Sequence, residues 1–119
     1  MLETDQESLV AARLATGAVL RALRDRLTPE EAADAAAQLP RELKALWRGG
    51  ERPGRRPEKM HRNEFYDRVR REAHLASPRE ARAVTVAVFA ALKEQLSPGE
   101  ADDILAQLPK DLKTVWAEA

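Results

Sequence analysis

Residues 8–47 of this 119-residue chain recur at 77–116, and no other feature constrains the fold as strongly. Gln38-Leu39-Pro40 returns 69 residues later as Gln107-Leu108-Pro109. At the same offset Leu27-Thr28-Pro29-Glu30-Glu31-Ala32 pairs with Leu96-Ser97-Pro98-Gly99-Glu100-Ala101, Leu43-Lys44 with Leu112-Lys113, and Trp47 with Trp116. About half of the paired positions are identical, which points to duplication of one unit. The second copy carries an additional segment, Asn63 to Ala76, whose counterpart would fall almost entirely before Met1. The chain therefore reads as a first copy lacking its opening helix (1–48), a Gly-, Pro- and Arg-rich linker (49–62) and a second copy (63–119).

Each copy is helical. Thr28-Pro-Glu-Glu31, Ser77-Pro-Arg-Glu80 and Ser97-Pro-Gly-Glu100 place a hydroxyl, a proline and then a glutamate at the spacing of a helix start. The hydroxyl accepts from a free backbone N–H, the proline loses nothing at the first helical position, and the glutamate reaches back to the cap. Thr4 with Glu7 is a weaker instance. Pro40 and Pro109 cannot lie inside an unbroken helix, so Gln-Leu-Pro is a corner that begins a new one. The spacing predicts helices over Asp5–Leu27, Pro29–Gln38, Pro40–Trp47, Glu64–His74, Pro78–Leu96, Pro98–Gln107 and Pro109–Glu118. The fold class is all-α, two tandem copies of a small helical bundle.

Apolar periodicity ranks these helices. Ala81, Val84, Val88, Ala91, Leu92 and Leu96, widened by Val86, Phe89 and Ala90, make the long helix of the second copy central. Leu9, Val10, Leu14, Ala18, Val19, Ala22, Leu23 and Leu27 do the same for the first. Phe65, Val69 and Ala73 form the narrower stripe of a covering helix. Trp47 and Trp116 end equivalent helices and close the core. Gly49-Gly50, Pro53-Gly54 and Pro57 stop helix and strand alike, so the linker reads as exposed and mobile.

Composition removes several functions. Twenty Lys and Arg balance twenty Asp and Glu, so no global field draws the chain to nucleic acid or an anionic membrane. There is no cysteine for disulfides, thiolate chemistry or Cys-ligated metals. The N-terminal residues lack the pattern of a secretory signal, and no apolar run spans a bilayer, so the expected compartment is the cytoplasm. His61 and His74 have no second histidine at helical spacing and read as surface or capping residues. Glu100, Asp102 and Asp103 could gather a cation or act as acid and base. Acidic residues in a first helical turn are also what the helix dipole selects, and Glu100 belongs to a capping box. No phosphate loop or nucleophile elbow is present. The expectation is a protein without catalytic residues, cofactor or metal.

The segment Asn63-Glu-Phe-Tyr-Asp-Arg-Val, the long helix after it and Gly99-Glu-Ala-Asp-Asp-Ile-Leu-Ala-Gln-Leu-Pro-Lys-Asp-Leu-Lys together resemble the bacterial family called domain of unknown function 2267. The resemblance covers nearly the whole chain and implies tandem repeats of this helical unit. The chain departs from it in lacking the first opening helix. The family implies no activity.

Two surfaces remain as candidates. Arg48, Arg52, Arg55, Arg56, Lys59 and Arg62 form a basic patch that could meet phosphates, although no aromatic is interleaved for base stacking. The first copy has no helix to cover Leu9, Val10 and Leu14, and a groove one helix long would expose several hundred Å². The occupant could be the second copy's own helices, another subunit or a different protein. The favoured reading is a non-enzymatic interaction module that forms a homodimer through this groove, with nucleic-acid binding through the basic patch as the alternative.

Overall fold

The computed structural model describes the backbone of residues 2–119 and the side chains of residues 8–119. The expected Thr4–Glu7 cap lies outside the described side chains. The described residues form seven helices and no strand: α1 (Leu2–Arg26), α2 (Pro29–Ala37), α3 (Arg41–Arg48), α4 (Arg62–Glu72), α5 (Pro78–Gln95), α6 (Pro98–Gln107) and α7 (Lys110–Glu118). None is long and apolar enough to cross a membrane.

Three helix starts follow the hydroxyl-Pro pattern. Thr28 Oγ1 accepts from the Glu31 N–H at 3.2 Å, Ser77 Oγ from Glu80 at 3.2 Å and Ser97 Oγ from Glu100 at 3.1 Å. Pro40 and Pro109 do start helices, but as N-caps with extended ψ of 158° and 159°, so α3 and α7 begin one residue later than expected. At the end of α4, His74 takes the left-handed conformation at φ 55°. The Leu75 N–H bonds back to Arg70 O and the His74 N–H to Arg71 O, which makes a Schellman close.

α1 and α5 lie side by side at the centre. α3 and α4 pack on α1, α4 and α7 pack on α5, and α2 joins α6 across the molecule. One core results. It holds Ala18, Val19, Leu23 and Leu27 of α1 with Phe65 and Val69 of α4 and Ala81, Phe89 and Leu92 of α5. On α5 the buried face runs through Thr85 and Phe89, while Ala91, expected in the stripe, is exposed. Three sides of α5 are contacted, and the helix turns its largest side chain into the middle of them. Phe89 meets Phe65 and Trp116 edge to face at 5.8 and 5.1 Å. Trp47 is buried as well, its indole N–H donating to Ala32 O at 3.0 Å.

Long-range polar bonds tie the ends of the helices together. The N-cap amide of Thr28 donates to Gln107 Oε1 at 2.9 Å, and that of Ser97 to Gln38 Oε1 at 2.7 Å. Arg24 donates to the Trp47 carbonyl, and Lys93 to the Trp116 carbonyl, both at 2.8 Å.

Residues 49–61 are mostly exposed, as expected of the linker, but the segment is tied to the bundle at several points. The Glu58 N–H donates to Asp25 O at 2.7 Å, and Met60 is buried. Arg55 reaches the end of α1 and donates to Leu27 O at 2.7 Å and Arg24 O at 2.8 Å. The physical cause is the C-terminus of α1, whose last carbonyls need donors. Gly50 and Gly54, at φ +72° and +71°, supply the turns that bring Arg55 there.

Candidate functional site

The N-terminal part of α1 stands clear of the bundle. Residues 8–14 are all exposed, with Leu9 at 70%, Val10 at 67% and Leu14 at 36%. From Ala15 onward α1 enters the core, so the second half's own helices cover the C-terminal part of the expected apolar face and leave Leu9, Val10 and Leu14 open.

Beside this arm, α1 and α3 enclose a cleft of about 540 Å³ lined by Arg13, Thr16, Glu42, Leu43 and Leu46. The positions 69 residues later are Arg82, Thr85, Asp111, Leu112 and Val115. There the region is occupied. Thr85, Leu112 and Val115 are buried, and the first amide of α4, Arg62 N–H, donates to Asp111 Oδ2 at 3.0 Å. Thr16, Leu43 and Leu46 are only half-buried. At the 69-residue offset in sequence, Glu42 pairs with Asp111, which receives the N-terminus of α4.

The basic segment is not one surface. Arg48, Arg52, Arg56, Lys59 and Arg62 are exposed, but the Arg55 side chain is 4% exposed and neutralised by Glu51 at 2.6 Å. Arg55 belongs to a chain of ion pairs that runs through Arg24, Asp25 and Arg68 to Glu58 and Glu72. Burial pushes the Asp25 carboxyl up, yet Arg24 and Arg68 outweigh it and hold the group below the ordinary range. Burial likewise lowers the Arg68 guanidinium, and Asp25 and Glu72 more than restore it.

The second polar centre lies where α2 meets α6, and here the capping-box reading of Glu100 fails. The Ser97 N–H that Glu100 would receive is already given to Gln38, and the Thr28 N–H is given to Gln107. Glu100 is instead buried at 7% exposure beside Glu31 and Asp103. The two glutamates bring carboxylate oxygens within 4.8 Å of each other, and a proton on one would relieve the repulsion between them. As carboxylates, both would leave a buried oxygen without a donor, Glu31 Oε2 and Glu100 Oε2. Burial first, then Glu31 and the charges of Asp34 and Asp103, push the Glu100 carboxyl up to about 8. Glu31, Glu100 and Asp103 offer oxygens within 4.8 Å of one another, a set of hard ligands that suits a divalent cation as well as a shared proton. Asp102, grouped with them in the sequence, is exposed and is not part of the set.

The histidines are both exposed and carry terminal roles. His61 is the N-cap of α4, its N–H donating to Glu64 Oε1 at 3.1 Å, and His74 closes the same helix. Neither stands with the carboxylates.

A family model described as "Uncharacterized conserved protein (DUF2267)" matches residues 2–115. No curated protein matches the chain.

Proposed function

The chain belongs to the DUF2267 family, and we propose that it is a non-enzymatic helical interaction module that forms a homodimer by exchanging the N-terminal arms of α1. In this reading the two halves are tandem copies of one unit, and the seat that α4 occupies in the second half is open in the first. The reciprocal Gln38 and Gln107 bonds, and the equivalent clamps of Arg24 and Lys93 on the two tryptophan carbonyls, support the duplication.

The observation that carries the proposal is the open seat between α1 and α3, next to an uncovered arm with Leu9, Val10 and Leu14 on its surface. A second copy supplies an arm of the right kind. Residues 2–14 at about 1.5 Å per residue make a rod about 20 Å long. A twofold exchange makes the contact twice, doubling the buried area toward the roughly 1,200 Å² of a stable interface. The arm is acidic at its start, with Glu3, Asp5 and Glu7, and Arg13 lines the seat.

Light scattering on variants tests this. Leu9→Glu on the arm and Leu46→Glu in the seat should each yield a folded monomer, whereas Ala91→Glu on the exposed side of α5 should leave the dimer intact. A dimer that survives both arm and seat substitutions would overturn the proposal. Nucleic-acid binding is the second reading, favoured by the exposure of Arg48, Arg52, Arg56, Lys59 and Arg62. Affinity for generic RNA or DNA that falls steeply with salt would support it.

A further inference from the structure

We propose that the cleft between the start of α4 and the start of α5 binds the phosphoryl group of a small phosphorylated molecule. The cleft encloses about 370 Å³ and is lined by Arg62, Asn63, Tyr66, Pro78, Arg79 and Arg82. Three arginines from two helices converge on it.

Among the described residues none of the three is neutralised by a carboxylate. Arg24, Arg55, Arg68, Arg70 and Arg71 each face a carboxylate within 3 Å, but Arg62, Arg79 and Arg82 make no ion pair among the described residues. The helices here carry carboxylates, most of them engaged by other groups, although the buried Asp111 Oδ1 has no hydrogen-bond partner. Glu64 and Glu80 accept backbone amides, Asp67 pairs with Arg70 and Arg71, and Asp111 holds the Arg62 amide beside His61.

A second observation is independent of charge. Tyr66 is 6% exposed, and its hydroxyl is buried without a hydrogen-bond partner, although the residue lines the cleft. A buried hydroxyl left unpaired costs about 1–3 kcal/mol, and an entering oxyanion would repay it. Burial pushes the Tyr66 hydroxyl up and the Asp111 carboxylate adds to the shift, while Arg82, which comes within reach of the hydroxyl, and Arg62 oppose it, so both guanidinium groups act at this oxygen.

Guanidinium forks, a hydroxyl donor and the Asn63 amide form the donor set that a phosphoryl dianion takes. Three cations converge on this cleft of a chain of zero net charge, with acids on both flanking helices. That arrangement selects a compact dianion over a long phosphodiester backbone, which needs a track of cations. The volume is that of a small-ligand site.

The test is titration of the full chain with inorganic phosphate and with AMP, followed by NMR of the Arg side chains and of Tyr66, the chain's one tyrosine. Saturable shifts should appear at Tyr66, Arg62, Arg79 and Arg82 with both probes. Arg79→Gln with Arg82→Gln should weaken both at least tenfold, and Tyr66→Phe severalfold, with melting temperatures checked to show that each variant folds. Arg41→Gln, on the exposed surface of α3, should bind like the parent. Equal binding by the parent and the double arginine variant would overturn the assignment. So would an RNA that binds while the shifts run along Arg48 to Lys59 instead of the cleft.

Discussion

Replacing Glu100 by glutamine tests the reading of the α2–α6 contact. Glu100 faces Glu31 and Asp34 of α2 and Asp103 of its own helix, and its carboxyl titrates at about 8 instead of the ordinary 4.5. A raised value means that the folded state holds a proton that the unfolded chain has released, so stability falls as pH rises from about 4.5 to about 8 and is level above that. At about 1.4 kcal/mol per pH unit the whole interval is worth at most about 5 kcal/mol. Relaxation of two short helices and entry of water bring the expected loss between pH 5 and pH 8 to about 2–3 kcal/mol. Glutamine keeps the size and gives Glu31 a permanent donor. Urea midpoints at four pH values from 5 to 8 provide the assay, and the difference between the two proteins cancels every titration they share. Glu100→Gln should match the parent at pH 5 and exceed it by about 2 kcal/mol at pH 8. Parallel profiles would show that Glu100 is ionised in the fold and that the shared proton is wrong.

Other expectations follow from single contacts. Thr28→Ala and Ser97→Ala should each lower stability by about 1 kcal/mol in denaturant melts, because each removes the acceptor for an N-terminal amide. His74→Gly should raise stability by about 1 kcal/mol, since it relieves a left-handed backbone at φ 55°, and calorimetry would show a higher melting temperature. Arg55→Met should cost about 2 kcal/mol by leaving the Leu27 carbonyl without its donor and the Arg24 carbonyl with one donor instead of two, and trypsin should then cut residues 52–62 faster than in the parent.

The helices were legible because their starts are written locally: a hydroxyl, a proline and a glutamate fall within the first turn of α2, α5 and α6. Pro40 and Pro109 show the limit of that reading. A proline marks a helix start equally well as N-cap or first residue, and only the observed ψ near 158° distinguishes the two. The role of Glu100 was hidden for a different reason. The same Ser-Pro-x-Glu pattern serves α5 and α6, but Ser97 gives its amide to Gln38, 59 residues away, and nothing local reveals that acceptor. The equivalence of Glu31 and Glu100 at the repeat offset was the available signal. Arg55 was equally obscure among six basic residues, because its partner is the end of a helix that the chain reaches only by folding back. Leu9, Val10 and Leu14 drew attention in the sequence because the repeat pairs their helix with α5, and α5 is covered by α4.

The central claim is that the open seat of one copy takes the arm of another, and sedimentation equilibrium of the parent chain tests it most directly. A mass twice the 13.3 kDa of the chain, falling to one chain in Leu14→Glu with the helical signal retained, is the predicted result. A parent that sediments as a single 13.3 kDa chain at every concentration up to the millimolar range would contradict it.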